Sequence, residues 1–84
     1  MAYAVEVPRK VQKQAARLPG NIRDRIDFAV LALADNPRPQ GCRKLSGREE
    51  WRIRVGSHRI VYEIHDESAR IVVLEIWHRQ RDYR

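Results

Sequence analysis

Arginines that alternate with apolar residues make the segment around Trp51 the part of the chain best suited to chemistry. Arg52 and Arg54 alternate with Trp51, Ile53 and Val55. In a β-strand, side chains two residues apart share a face, so this pattern puts the apolar residues on one side and the guanidinium groups on the other. The sequence therefore predicts a strand that packs into a core and presents an anion-binding face.

A hairpin turn extends this face to a second strand. Gly56 and Ser57 suit a two-residue turn with glycine at its first central position. The pairs that this turn predicts are Val55 with His58, Arg54 with Arg59, and Arg52 with Val61. Like charges directly opposite one another destabilise a sheet, so we expect an anion to compensate them, and RNA phosphate is the obvious candidate.

The elements that position this hairpin begin with a strand and a helix. Residues Tyr3 to Val7 are rich in β-forming side chains and end at Pro8, which predicts a first strand. From Arg9 to Leu18, apolar residues recur at helical spacing, with basic and amide residues between them. We therefore expect a short helix after the strand.

A second helix is the most clearly marked element. After the break at Pro19 and Gly20, Asn21 is expected to cap the helix, and Asp24 suits its first turn. The segment from Asp35 to Pro37 is expected to stop it. The apolar stripe that should lie on a sheet comprises Ile22, Ile26, Ala29, Val30 and Leu33.

A basic loop and a final strand complete the predicted fold. The segment from Arg38 to Glu50 contains proline and glycine, which predicts a loop, with a short strand at Arg43 to Leu45. Arg70 to Trp77 is apolar on both faces, as in a central strand. The expected fold is α+β, with an N-terminal strand, an antiparallel helical pair and then a three-stranded antiparallel sheet that has the helices packed on one face. Residues 1–84 are expected to form a single domain.

Composition limits the possible partners and compartments. Seventeen Lys and Arg residues against eleven Asp and Glu give a net charge of +6, which favours polyanions. Cys42 stands alone, so it can form no intramolecular disulfide, and a reducing cytoplasm is the simplest location. The longest apolar run, Phe28 to Ala34, is far below the roughly 18 residues of a membrane-spanning helix, and we expect no membrane association.

Several segments, with the order of elements, make the chain resemble the RelE/ParE superfamily of bacterial type II toxins. They are Lys44-Leu45-Ser46-Gly47, Trp51 to Gly56, His58 to Tyr62, and the closing His78-Arg79-Gln80-Arg81-Asp82-Tyr83. The resemblance implies a small toxin held inactive by a cognate RelB-like antitoxin in a hetero-oligomer. In the RelE branch it implies a nuclease that cuts mRNA on the ribosome, with contacts to 16S rRNA. In the ParE branch the target is DNA gyrase.

The resemblance to the RelE branch also implies site residues. Basic residues of that branch correspond to Arg52, Arg54, Arg59 and Arg79, and an aromatic one to Tyr83. Arginine stays charged, so His78 and Tyr83 are the titratable candidates. The complete expected set is Arg59, Arg79, His78 and Tyr83 for catalysis and Lys44, Arg52, Arg54 and Arg81 for RNA binding. ParE-type toxins generally lack the closing His-Arg-to-Tyr set, which favours the nuclease.

The chemistry expected from this set is cleavage by the RNA's own 2′-hydroxyl. Arg59 and Arg79 would stabilise the charge that builds on the phosphate, while Arg52 and Arg54 would position it. His78 could act as base or acid, and Tyr83 as a base or a stacking ring. The sequence shows no metal-ligand spacing, so we expect no metal or other cofactor.

Other interpretations remain open. Alternating arginines are often a solvated face, and a basic domain could bind nucleic acid without cutting it. We expect Trp51, Trp77 and Tyr62 to pack in or beside the core, and His58 and His65 to be surface residues. The antitoxin is expected to lay an extended, acidic, partly helical segment across the basic face and the helices.

Overall fold

Two helices lie on one face of a five-stranded sheet in a computed structural model of the chain, which describes residues 2–45, 47 and 49–78. The elements are β1 (Ala4–Glu6), α1 (Arg9–Ala16), α2 (Gly20–Ala32), β2 (Arg43–Lys44), β3 (Glu50–Val55), β4 (His58–His65) and β5 (Arg70–His78). The strand order is β1-β5-β4-β3-β2, with β1 parallel to β5 and the other pairs antiparallel. The predicted α+β fold is confirmed, and the predicted short strand at Arg43 adds an edge to the sheet.

The predicted start of the second helix is wrong. α2 begins at Gly20 and takes Pro19 as its cap residue, with no side-chain capping bond. The carbonyl of Pro19 accepts hydrogen bonds from the backbone N–H groups of Ile22 and Arg23, at 3.0 and 2.9 Å. Asn21 is therefore already inside the first turn. Proline can stand at this point because its fixed φ suits the entry to a helix and the N–H it lacks would have no partner in the helix.

The core lies between the helices and the sheet. Its buried members are Val11, Ile26, Val30, Leu33, Ile53, Ile60, Tyr62, Ile71 and Val73. Three residues of the predicted α2 stripe are in this set, and Ile22 and Ala29 pack against it. The Tyr62 hydroxyl, buried as predicted, donates a hydrogen bond to the Pro37 carbonyl at 2.8 Å. None of the helices in the described residues is long and apolar enough to cross a membrane.

The predicted hairpin register is confirmed at all three pairs. Val55 lies opposite His58, Arg54 opposite Arg59, and Arg52 opposite Val61. Gly56 has a φ of +60°, a conformation that glycine adopts without the steric cost of a side chain. Turn chemistry and strand periodicity thus agree in this part of the sheet.

A β-bulge in β5 changes which way the end of that strand faces. Tyr62 pairs with Val73, but its neighbour Val61 pairs with Glu75, which leaves Leu74 as an extra residue. Uninterrupted alternation from Val73 would put His78 on the face away from the helices. Because of the bulge, His78 instead lies opposite His58, on the helix side.

Candidate nucleic-acid interface

Four arginines lie together on the sheet face away from the helices. Arg54 lies opposite Arg59, and Arg52 lies opposite Arg43 on the edge strand β2. Paired residues share a face, so β2, β3 and β4 present these guanidinium groups in the same direction. We call Arg43, Arg52, Arg54 and Arg59 the arginine face.

The composition of the arginine face differs from the prediction at one position. Lys44, predicted to bind RNA, pairs with Trp51 and so lies on the opposite side of β2 from the arginines. Its ammonium group lies 3.3 Å from the Glu49 carboxylate. Arg43 takes the place expected for Lys44. Sequence reasoning missed Arg43 because a strand of two residues does not reveal which of them faces which way.

Acidic residues limit the arginine face on one side. Glu50 lies opposite Glu63, on the same sheet face as Arg52 and two residue pairs further from the turn. Beyond them the charges are mixed, with Arg70 paired to Glu6. The cationic half of this face is therefore the half next to the Gly56 turn.

His78 is on the other side of the sheet, at the same end. Its ring meets that of His58 edge to face, with centroids 5.0 Å apart and planes at 87°. His58 is only 5% exposed, so its prediction as a surface residue is wrong. It flanks a turn, but it alternates with Ile60 and Tyr62 and so points to the helix side. Burial, followed by the nearby His78, lowers the pKa of His58 and favours its neutral form.

A cleft of about 850 Å³ runs between α1 and the ends of β4 and β5. We call it the helix-side cleft. Its floor includes the two histidines, and its lining residues on α1 are Arg9, Lys10, Lys13 and Gln14, followed by Arg17 and Leu18. The Gln14 side chain accepts a hydrogen bond from the Ile76 backbone N–H at 3.2 Å, which fixes α1 against β5. The remaining lining residues are Glu75, Ile76 and Trp77.

The two tryptophans have structural partners. Trp51 packs against the core, and the Arg38 guanidinium lies 5.0 Å from its ring centroid. Trp77 is half-buried, and its indole N–H donates to a Glu75 carboxylate oxygen at 2.5 Å. Trp51 therefore packs beside the core as expected, whereas the expectation is wrong for Trp77, which pairs with Arg59 on the sheet face away from the core.

The predicted site is divided between these two surfaces. Arg52, Arg54 and Arg59 come together, while His78 lies beyond the sheet from them. Arg79, Arg81 and Tyr83 lie outside the described residues. Within residues 2–45, 47 and 49–78, no three His, Cys, Asp or Glu side chains are grouped so as to hold a metal ion.

Comparison with known proteins assigns the class of this fold and site. The family model described as the ParE toxin of the type II toxin-antitoxin system parDE matches residues 5–83. The chain therefore belongs to this family of type II toxins.

Named relatives place the chain close to RelE proteins. The mRNA interferase toxin RelE of Escherichia coli is 24% identical over 84 residues, covering 96% of this chain and 87% of that protein. The archaeal RelE-RelB complex from Pyrococcus horikoshii contains a chain with 26% identity and a TM-score of 0.86, with 96% and 99% of the two chains covered. The RelBE2 complex of Mycobacterium tuberculosis gives 26% identity, a TM-score of 0.79, and coverage of 94% and 100%.

Proposed function

We propose that this toxin is an endoribonuclease that cuts mRNA on the ribosome, in the cytoplasm, and thereby stops translation. The observation that supports this best is the arginine face, where guanidinium groups on three adjacent strands make a surface suited to phosphate. The mRNA interferase name of the Escherichia coli relative agrees with it.

The proposed reaction needs only groups of the RNA and the protein. The 2′-hydroxyl oxygen attacks phosphorus, its proton passes to a base, and the bond from phosphorus to the 5′-oxygen breaks as an acid protonates that oxygen. The products are a 2′,3′-cyclic phosphate and a 5′-hydroxyl. Arg59 stabilises the charge on the non-bridging oxygens, a role worth roughly 3 to 4 kcal/mol for a well-placed donor.

The other roles follow the resemblance and the geometry. Arg52, Arg54 and Arg43 position phosphates on the arginine face. The role of His78 follows from the resemblance alone, because the sheet separates it from Arg59; it would serve as acid or base for a strand that passes around the end of the sheet. Arg79 and Tyr83 complete the proposed catalytic set, and Arg81 adds a phosphate contact.

Mapping of mRNA ends tests this proposal. After induction of the toxin, primer extension on translated messages should show new 5′ ends within codons. An untranslated copy of one message, lacking its start codon, serves as the control and should remain intact. Growth arrest with unchanged message ends would contradict a nuclease, whereas equal cutting of both messages would contradict dependence on the ribosome.

We further propose that a RelB-like antitoxin holds the toxin in a hetero-oligomer. The structural relatives from Pyrococcus horikoshii and Mycobacterium tuberculosis are complexes of toxin and antitoxin. An acidic antitoxin segment folding over the arginine face would neutralise it. Co-expression with a RelB-like antitoxin that binds this toxin should abolish the new message ends.

The family match supports a second candidate function, inhibition of DNA gyrase in the manner of ParE. α2 carries Phe28 and Leu31, which are 74% and 69% exposed and lie three residues apart on one helix face. Such a face suits a protein partner. A supercoiling assay with purified gyrase separates the candidates, because only this second function predicts inhibition in the absence of RNA.

A further inference from the structure

α1 and its C-terminal cap residue Arg17 carry a row of cations that the arginine face does not include. Arg9, Lys13 and Arg17 follow one another at intervals of four residues, so they share a helix face and lie about 6 Å apart along the axis. All three are exposed and line the helix-side cleft. Like charges at this spacing repel one another and destabilise a helix.

The described residues around this row provide little acidic charge to neutralise it. In the part of the chain that the structure describes, none of the three forms an ion pair with a carboxylate. Among the described residues that line the cleft, Glu75 alone is acidic. It already accepts the Trp77 indole N–H and lies 4.0 Å from the Lys10 ammonium. Among the residues that the structure describes, the three cations of the row therefore have no carboxylate partner.

The cleft and the arginine face also reach the same end of the sheet. Arg59 on β4 follows directly after His58, and its partner Trp77 on β5 precedes His78. Arg59 and Trp77 belong to one face, and the two histidines to the other. A strand that leaves the arginine face at Arg59 thus reaches the exposed ring of His78 and then the α1 row.

We propose that the helix-side cleft is a second RNA-binding site, in which Arg9, Lys13 and Arg17 contact successive phosphates of a strand that also crosses the arginine face. The assignment of RNA as the ligand of this cleft rests on the proposed function. The spacing of the cations is comparable to that of phosphates in an extended strand, and a cationic groove that follows the backbone is how proteins bind single-stranded nucleic acid without reading its sequence. Trp77 shares the face of Arg59, so the contacts proposed for the α1 row are to phosphate.

The salt dependence of binding tests the cleft. The probe is a fluorescein-labelled RNA oligonucleotide with 2′-O-methyl groups, which cannot be cut by 2′-hydroxyl attack. Its binding to the full-length toxin is measured by fluorescence anisotropy at several salt concentrations. For single strands, the slope of log K against log salt concentration becomes shallower by about 0.7 for each phosphate that the protein no longer neutralises. Lys13→Gln/Arg17→Gln should therefore reduce the slope by about 1.4, and Arg17→Gln alone by about 0.7.

Matched variants separate a phosphate contact from a change in net charge. Arg23→Gln removes one charge from the exposed surface of α2, outside the cleft, and should leave the slope unchanged. Arg17→Lys keeps the charge and should keep the slope. Equal slopes for the double variant and the wild type, or the same reduction in Arg23→Gln, would overturn the cleft site. Circular dichroism of each variant should show that α1 remains folded.

The cleft and the nuclease can fail separately. If primer extension shows no cleavage but Lys13→Gln/Arg17→Gln still reduces the salt slope, the RNA site in the cleft is supported and the proposed nuclease activity is refuted. If cleavage occurs and the slope does not change in the double variant, the nuclease activity is supported and the RNA site in the cleft is refuted.

Discussion

The arginine face and the helix-side cleft are both cationic, but they are built in different ways. The arginine face is formed by the β3-β4 hairpin and the adjoining edge strand, so its geometry follows from ladder hydrogen bonds. The cleft joins α1 to the ends of β4 and β5, which are distant from α1 along the chain, and it exists only while α1 stays packed on β5. The first surface is fixed locally, and the second depends on tertiary contacts.

This difference suggests a division of labour. Guanidinium groups held by a sheet are preorganised, which is what stabilisation of a developing phosphate charge requires. Long side chains on an exposed helix suit looser contacts along a backbone. We therefore expect substitutions on the arginine face to lower the rate of cleavage and substitutions in the cleft to weaken binding.

The largest effect is expected at Arg59. Arg59→Ala should lower the rate of mRNA cleavage on the ribosome by about 10² to 10³-fold, because it removes one preorganised donor to the transition state. Arg59→Lys should be intermediate, since lysine keeps the charge but not the two-pronged geometry. Single-turnover cleavage with saturating toxin measures this, with Arg23→Gln as the control. A loss confined to affinity in Arg59→Ala would remove the distinction between the two surfaces.

A smaller effect is expected where α1 is anchored. Val11 is buried and belongs to the core, so Val11→Ala removes two buried carbon atoms. At about 0.8 kcal/mol for each, plus a cavity term, the free energy of unfolding should fall by roughly 2 kcal/mol. Urea unfolding measures this. Lys13→Ala, at an exposed position of the same helix, is the control and should change the free energy of unfolding by less than about 0.5 kcal/mol, because it removes no core contact.

The contrast also explains what could be predicted from the sequence. The hairpin register was predictable because the Gly56 turn and the alternation around Ile53 are local and agree. The face of His78 was not, because Ile71 to Trp77 is apolar on both sides and nothing there marks Leu74 as the extra residue. The face of His58 follows from its alternation with Ile60 and Tyr62, whereas its contact with His78 depends on the bulge, which no local pattern reveals. Turn chemistry and strand periodicity thus predicted three of the four residues of the arginine face, all except Arg43, whereas the cleft required the packed structure.

His58 provides a pH test of the cleft floor. Burial lowers its pKa in the folded state, so the unfolded chain binds more protons as pH falls through the ordinary histidine value of about 6.5. Stability should therefore be highest above that pH and decrease as the pH falls toward 5. In His58→Gln this part of the decrease should be absent, as measured by urea midpoints at pH 7.5 and 5.5. His65→Gln, at an exposed histidine, should retain the wild-type decrease.

The smallest effect is expected far from both surfaces, at Asp66. Its carboxylate accepts hydrogen bonds from the Tyr3 hydroxyl at 2.7 Å and from the Arg38 guanidinium at 2.9 Å. The Arg38 bond, and then the Tyr3 bond, lower the pKa of Asp66. A lowered carboxyl pKa stabilises the fold above the unfolded value of about 3.9, and this contribution disappears as pH falls through the lower folded value.

Asp66→Asn should therefore lower the urea midpoint slightly at pH 7 and have less effect at pH 2.5, because exposed ion pairs contribute little. Glu67→Gln, at the exposed neighbouring position, is the matched control and should change neither midpoint. Since Asp66 is distant from α1 and the Gly56 turn, neither cleavage nor the salt slope should change in either variant. A change in cleavage for Asp66→Asn would mean that the loop around Arg38 communicates with the arginine face through Trp51, which the Arg38 guanidinium overlies.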